Sequence, residues 1–337
     1  SNIKFKYFLG RRLVVDKVLF TGNVVTRNIV LERESKVKTG EYLTPRLIKR
    51  IKDSLNSLGL FSRVIVTPAI IGSNKKGEGL VRLLINVKER EFGRVEIAPG
   101  YRTDLGAKFS FSFLKNNLWG LNHSFNTKLL FNRRFTLREF DSRRMRGGHK
   151  IEGLARVTYS WPHVFSNVAL DSTLTLQRRR FFGFDADIVR LSPQLTKQWN
   201  KYVGSSLKYQ FEQIKQFDAS SEDNQATFRI GGITPSVTFD FRDNSISPRA
   251  GSYFGLSWEF ANPLFGSQND EAVEINFSKI ISRNKFYYPI LNKTVVFAVS
   301  LAMGYQKNYA QDLQRDADGN LIPVSLSNNT SKTRGYI

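Results

Sequence analysis

The sequence predicts two parts: a small α+β module of βααββ order, then an antiparallel transmembrane β-barrel, of which about eleven strands are present. Three observations carry this. Near residue 94 the hydrophobic pattern switches to a sustained period of two. Several alternating runs reach about nine residues or more, enough for a tilted strand to cross a bilayer. The links between runs alternate between compact and mostly longer, more polar ones.

The first module opens with the strand "RLVVDKVLF", turned at Gly22-Asn23. Thr26 is placed to cap a short helix through "NIVLERES". A second helix starts at Thr44-Pro45, carries the stripe Leu47, Ile48, Ile51, Leu55 and Leu58, and stops at Gly59. "SRVIVTPAI" and "GLVRLLINV" complete a sheet of about three strands, whose open edges could accept a further strand.

In the array, Phe109, Phe111 and Phe113 alternate with Ser110 and Ser112. The runs 125–131, 168–176, 203–211, 237–241 and 254–260 follow the same rule, and Val273, Ile275 and Phe277 are expected to form the apolar side of a later strand. Apolar positions are assigned to lipid and polar ones to a wet lumen. Trp119, Trp161, Trp199, Tyr202, Tyr287 and Tyr288 fall at the compact links, where an aromatic girdle would meet the headgroups.

Lys and Arg outnumber Asp and Glu by 51 to 29, a net charge of +22. That favours phosphate-bearing partners, lipid or nucleic acid. Membrane-length alternation without interleaved basic and aromatic residues argues against nucleic acid. With no cysteine, disulfides and thiolate metal sites are excluded. Neither a helical span nor an intact signal peptide is expected. His123, His149 and His163 are too dispersed along the pattern to suggest a hydrolase, so no enzyme activity and no cofactor are expected.

Five stretches in fixed order carry a resemblance: "VLFTGN" (18–23), "LNSLGLFSRVIVTP" (55–68), "VKEREFGRVEIAPGYRTDLG" (87–106), "NNLWG" (116–120) and "FDFRDNSISPRAG" (239–251). Together they resemble the outer-membrane insertase superfamily of the BamA and TamA type, in which POTRA domains precede a barrel of about sixteen strands. The resemblance implies an upstream POTRA remnant at 1–12, a barrel-proximal POTRA at 13–90, barrel strands at 91–307 and a long external sixth loop at 308–337. It implies further strands after Ile337. It places the POTRA in the periplasm of a bacterium and the barrel in its outer membrane.

Its functional residues map as follows. The first strand of a lateral seam carries Gly93, Val95, Ile97, Pro99, Gly100 and Tyr101. The sixth-loop motif is Arg334, Gly335 and Tyr336, and a turn motif comprises Asp240, Arg242, Asp243, Asn244, Pro248 and Gly251. The POTRA motif is Gly22, Asn23, Gly59 and Phe61. Implied partners are unfolded outer-membrane proteins and either accessory assembly lipoproteins or an inner-membrane partner. Arg133, Arg134, Arg143, Arg144, Arg146 and Arg178 to Arg180, expected in external loops, suggest lipopolysaccharide or anionic lipid. The alternative task for the same fold is export of one dedicated partner, as in two-partner secretion.

Overall fold

The computed structural model describes residues 11–74, 76–102, 106–134, 150–165, 167–180, 185–217, 227–269, 274–290, 295–309, 312–315 and 321–324. Arg143, Arg144, Arg146, Arg334, Gly335, Tyr336 and residues 1–10 of the upstream remnant at 1–12 lie outside these residues.

The first module is β1 (Leu13–Thr21), α1 (Asn28–Ser35), α2 (Pro45–Ser57), β2 (Phe61–Ser73) and β3 (Gly79–Glu89). Its sheet runs β1-β3-β2, with β1 parallel and β2 antiparallel to β3. The alternating side chains Val81, Leu83, Ile85 and Val87 of central β3 meet the α2 stripe Leu47, Ile51 and Leu55, joined by Val15 and Phe61, in one dry core. Burying each such side chain is worth about 1.5–3 kcal/mol, so this core accounts for the module's order. The Thr44 hydroxyl accepts from the Leu47 N–H at 3.1 Å, capping α2 as its sequence predicts. Thr26 does not cap α1. The N-cap is Arg27, with no side-chain bond, because Thr26 lies one residue too early and its side chain is engaged elsewhere.

The array forms an 11-stranded sheet, antiparallel and in chain order from β4 to β14. The strands are β4 (Gly93–Arg102), β5 (Gly106–Leu118), β6 (His123–Arg134), β7 (Lys150–Phe165), β8 (Val168–Arg180), β9 (Asp185–Gln198), β10 (Val203–Phe217), β11 (Thr227–Asp240), β12 (Gly251–Ala261), β13 (Phe277–Ile290) and β14 (Val295–Asn308). Several outrun the apolar periodicity. Backbone pairing continues into charged ends because ladder bonds do not depend on the side chain. No described helix is long and apolar enough to cross a membrane.

Register fixes the faces. Leu207, Pro235, Val237, Leu256 and Phe260 share the apolar side. On the other side polar groups bond across strands: Thr158 to Thr173 at 3.1 Å, Ser206 to Ser236 at 2.8 Å, and Arg190 to buried Glu212 through two bonds of 2.8 and 2.9 Å.

Two sequence expectations need correction. Tyr287 pairs with Gly251 on the polar face, within hydrogen-bonding reach of Arg242, and so leaves the girdle; Tyr288, Trp199 and Tyr202 remain exposed beside the compact links. Val273 lies outside the described residues, and Ile275 and Phe277 do not form a strand's apolar side. β13 begins only at Phe277, and Ser278 and Ile280 take the apolar face, because part of 262–276 is used in a separate fold-back.

Candidate functional site: an edge strand and a docked hairpin turn

β4 stands at one end of the sheet order and pairs, among described residues, only with β5. The stretch Gly93–Tyr101 is exposed throughout, with Ile97 at 61% and Tyr101 at 56%. Pro99 has no N–H to offer a ladder, a trait that Pro193 in β9 and Pro235 in β11 share within the sheet. Gly93 and Gly100 do not take a left-handed φ, and an added Cβ at either would meet nothing within 4 Å. Neither sterics nor a turn demands glycine there. What both glycines confer is a strand that loses more freedom on pairing and is more weakly held. Across the β4–β5 pair, the Ser110 hydroxyl donates to the Ala98 carbonyl at 3.2 Å.

A second feature lies in the compact unit built on the first module, which takes in residues 113–125, the end of β5 and the start of β6. The turn "NNLWGLN" holds Asn117, Trp119 and Asn122 at φ of 53°, 56° and 64°, a strained conformation for residues with a Cβ, and Gly120 at 72°. Docking on the loop before α1 holds it there. The Arg27 N–H donates to the Gly120 carbonyl at 2.9 Å. The Asn117 amide donates to the Thr26 hydroxyl at 2.8 Å, both residues being buried. The Asn116 N–H donates to the Phe92 carbonyl at 2.7 Å. Any Cβ on Gly120 would run into the Val25 carbonyl.

Glu89, at the end of β3, organises the other side of this loop. Its carboxylate accepts from the Thr26 N–H at 2.7 Å and the Val25 N–H at 3.1 Å. Burial works against its ionisation, but the bonds from Thr26, Val25 and Val24 outweigh this and hold its pKa below the ordinary carboxylate value. Sequence reasoning quoted Glu89 and Asn117 only within longer motifs and placed Thr26 as a cap, and it missed the contacts that join them. Their partners lie 63 to 91 residues away, and no local pattern reports such a meeting.

The POTRA motif residues are architectural. Gly22, at φ 83°, passes so close to the Val87 carbonyl that no side chain fits. The Asn23 amide donates to the Thr26 carbonyl at 2.8 Å and to Asn28 at 2.7 Å. Gly59, at 69°, follows α2, and Phe61 is core. The turn motif also builds its own turn. Asp240 and Arg242 form a two-point ion pair, and Asp243 accepts from the N–H groups of Asn244, Arg249 and Ala250. Those backbone bonds, led by Arg249 and Ala250, lower the Asp243 pKa. Asn244 accepts from Ile246 and Ser247, and Gly251 takes φ 103° after Pro248.

The loop cations meet a correction too. Arg133 and Arg134 belong to β6 and Arg178 to Arg180 to β8, not to loops; Arg178 binds Asp187 through two bonds of 2.7 Å, and Arg180 lies 3.6 Å from Asp185.

The comparisons with known proteins agree with this architecture. Residues 13–90 match the POTRA family, described as a surface antigen variable number repeat, and residues 100–325 match the Omp85 superfamily domain. The outer membrane protein assembly factor BamA of Buchnera aphidicola is 27% identical over 130 residues, 39% of this chain and 21% of that protein. BamA of Nitratidesulfovibrio vulgaris is 26% identical over 270 residues, 77% of this chain and 31% of that protein. The chain therefore spans under a third of the length of these relatives. The crystal structure of BamA from Haemophilus ducreyi lacking POTRA domains 1-3 shares the fold at a TM-score of 0.65 and 17% identity, over 89% of this chain and 56% of that one. CdiB from Acinetobacter baumannii aligns at 0.50 and 12% identity, over 91% and 56%. With a POTRA module and a superfamily domain that together cover most of its residues, the chain belongs to the Omp85 superfamily.

Proposed function

We propose that this protein folds and inserts β-barrel proteins in the bacterial outer membrane, with its POTRA module in the periplasm. Support comes from the relatives named as assembly factors. The observation that carries the mechanism is the composition of β4, the first strand of the sheet, which is interrupted by Pro99 and softened by Gly93 and Gly100. An incoming strand adds to this edge through backbone bonds that do not read sequence, so one site serves many clients. In the POTRA sheet residues 40–43 cover the edge of β1, and the edge at β2 offers a second pairing surface for unfolded clients. Accessory lipoproteins or an inner-membrane partner, and lipopolysaccharide, complete the proposed partners; no cofactor, covalent catalysis or nucleic acid is assigned.

A photo-crosslinker at Ile97 or Tyr101 in the full-length protein should capture a stalled client barrel. Absence of an adduct above background would overturn the edge mechanism. The second reading, export of one dedicated partner through the interior, draws on the hydroxyl- and charge-lined polar face. It predicts crosslinks from polar-face Ser257 instead.

A further inference from the structure

β12 crosses in eleven residues, from the compact Asp240–Gly251 turn to Ala261 on the other side, which is the length a tilted strand needs to span. The chain then does not leave into solvent. Residues Pro263–Phe265 form a 3-10 turn that folds back over the apolar face of the sheet. Its position is fixed by contacts with side chains of that face. The Phe265 ring packs edge-on against Phe260 at 6.0 Å, the Tyr209 hydroxyl donates to the Phe265 carbonyl at 3.0 Å, and Gly266 lies on the Phe211 ring. Gly231 provides the seat. It pairs with Phe211 on the apolar face, and a Cβ there would collide with the Phe265 carbonyl. The segment is locked on its return by Ser267, which both donates to the Gly231 carbonyl at 2.7 Å and accepts from its N–H at 3.0 Å.

This turn leaves Leu264 84% exposed at its outermost point. Its backbone donors are nevertheless all used internally. Leu264 donates to the Asn262 side chain, Phe265 and Ser267 to the Asn262 carbonyl, and Gly266 to the Pro263 carbonyl, while Pro263 has no N–H. A segment in water has no need of such closure. One in hydrocarbon does, because an unpaired N–H there costs several kcal/mol. Trp258, on the same face and bonded through its indole N–H to Ser278 at 2.6 Å, marks the adjoining depth as the aromatic belt where apolar body and polar edge meet.

From these observations we propose that residues 262–268 are a membrane-surface anchor, with Pro263 and Leu264 inserted among the acyl chains of the external leaflet, just below its headgroups. The inference rests on the reading of the sheet as a barrel wall in lipid. It adds a lipid-binding element outside the wall, which would hold the external rim of β10–β12 at a fixed depth.

Because the 337 residues contain no cysteine, single-cysteine variants report cleanly. Leu264→Cys, Leu256→Cys on the apolar face and Ser257→Cys on the polar face are each labelled with bimane in the full-length protein. They are reconstituted in phosphatidylethanolamine and phosphatidylglycerol vesicles, with and without a lipid carrying a nitroxide midway along its acyl chain. Quenching at Leu264 comparable to that at Leu256, with Ser257 quenched only by aqueous iodide, supports the anchor. Adding Gly231→Ala should then unseat the turn and shift the Leu264 label toward iodide quenching. Lipid quenching at Leu256 but not at Leu264 overturns the anchor and leaves the barrel intact. No lipid quenching at Leu256 overturns the barrel reading, and the anchor with it.

Discussion

Replacing Gly93 and Gly100 together with valine tests whether the softness of β4 matters. Both positions have φ values open to any residue and no atom within 4 Å of an added Cβ, so the substitution introduces no clash. Its effect is confined to the cost of ordering the strand. Glycine is disfavoured in a strand by about 0.5–1 kcal/mol relative to alanine, and β-branched residues gain further. Two sites therefore shift the paired over the frayed edge by about 1.4 kcal/mol or more, a factor of about ten or more in population. If the edge must open to accept a client, insertion should slow by about tenfold. The assay is the folding rate of a client barrel, read by its heat-modifiable gel migration, with full-length protein in vesicles. Gly153→Val in β7, where the nearest atom to the added Cβ is 3.8 Å away, is the control for a non-edge strand. Wild-type insertion by the double variant, or an equal slowing by the control, would refute the reasoning.

Three further outcomes concern the first module and its docked turn. Glu89 has a pKa held below the ordinary carboxylate value in the folded chain, so its contribution is present above that ordinary value and lost as pH falls through the folded pKa. Glu89→Gln should remove about 2 kcal/mol at neutral pH, on the scale of charge-assisted hydrogen bonds, and flatten the acid limb of unfolding, read as exchange protection of the Val25 and Thr26 amides. Gly120→Ala combines a left-handed φ with collision against the Val25 carbonyl; a loss above about 1–2 kcal/mol and release of the Arg27 amide to exchange are expected. Ile51→Ala, at a fully buried core position, should cost about 2–5 kcal/mol in denaturant unfolding of the module, and an effect under 1 kcal/mol would show that the core tolerates the cavity.

Local patterns were legible to the degree that their physics is local. The α2 cap, stripe and stop lie within sixteen residues, and each is where hydrogen-bond geometry and a 3.6 period require. Strand faces were readable because a period of two survives any curvature of the sheet. The failures have one cause. Thr26, Glu89, Asn117 and the 262–268 fold-back are each defined by a partner in another element, and only tertiary structure brings it near. Ile275 falls in sequence where an alternating strand was expected, yet residues 262–268 are spent covering Gly231, a glycine whose use no flanking residue announces.

A ten-residue strand that must part from its neighbour to receive a client poses a contradiction that the composition of β4 resolves. A regular edge of that length templates indiscriminate pairing, and proteins ordinarily blunt such edges with proline, glycine and charge. β4 has all three, in Pro99, Gly93, Gly100, Arg94 and Glu96. In an ordinary barrel these would serve only to prevent association. Here the same features set a dwell time: a paired client strand gains fewer ladder bonds across Pro99 and orders two costly glycines, so its release is fast compared with release from a regular strand. An edge built of valine and isoleucine would bind a client and keep it. The weakness that protects β4 from aggregation is then the property that allows turnover, and strengthening it should trap clients as well as slow their entry. In the double glycine variant, crosslinked client at Ile97 should accumulate while folded product falls; loss of both together would point instead to a failure of recruitment.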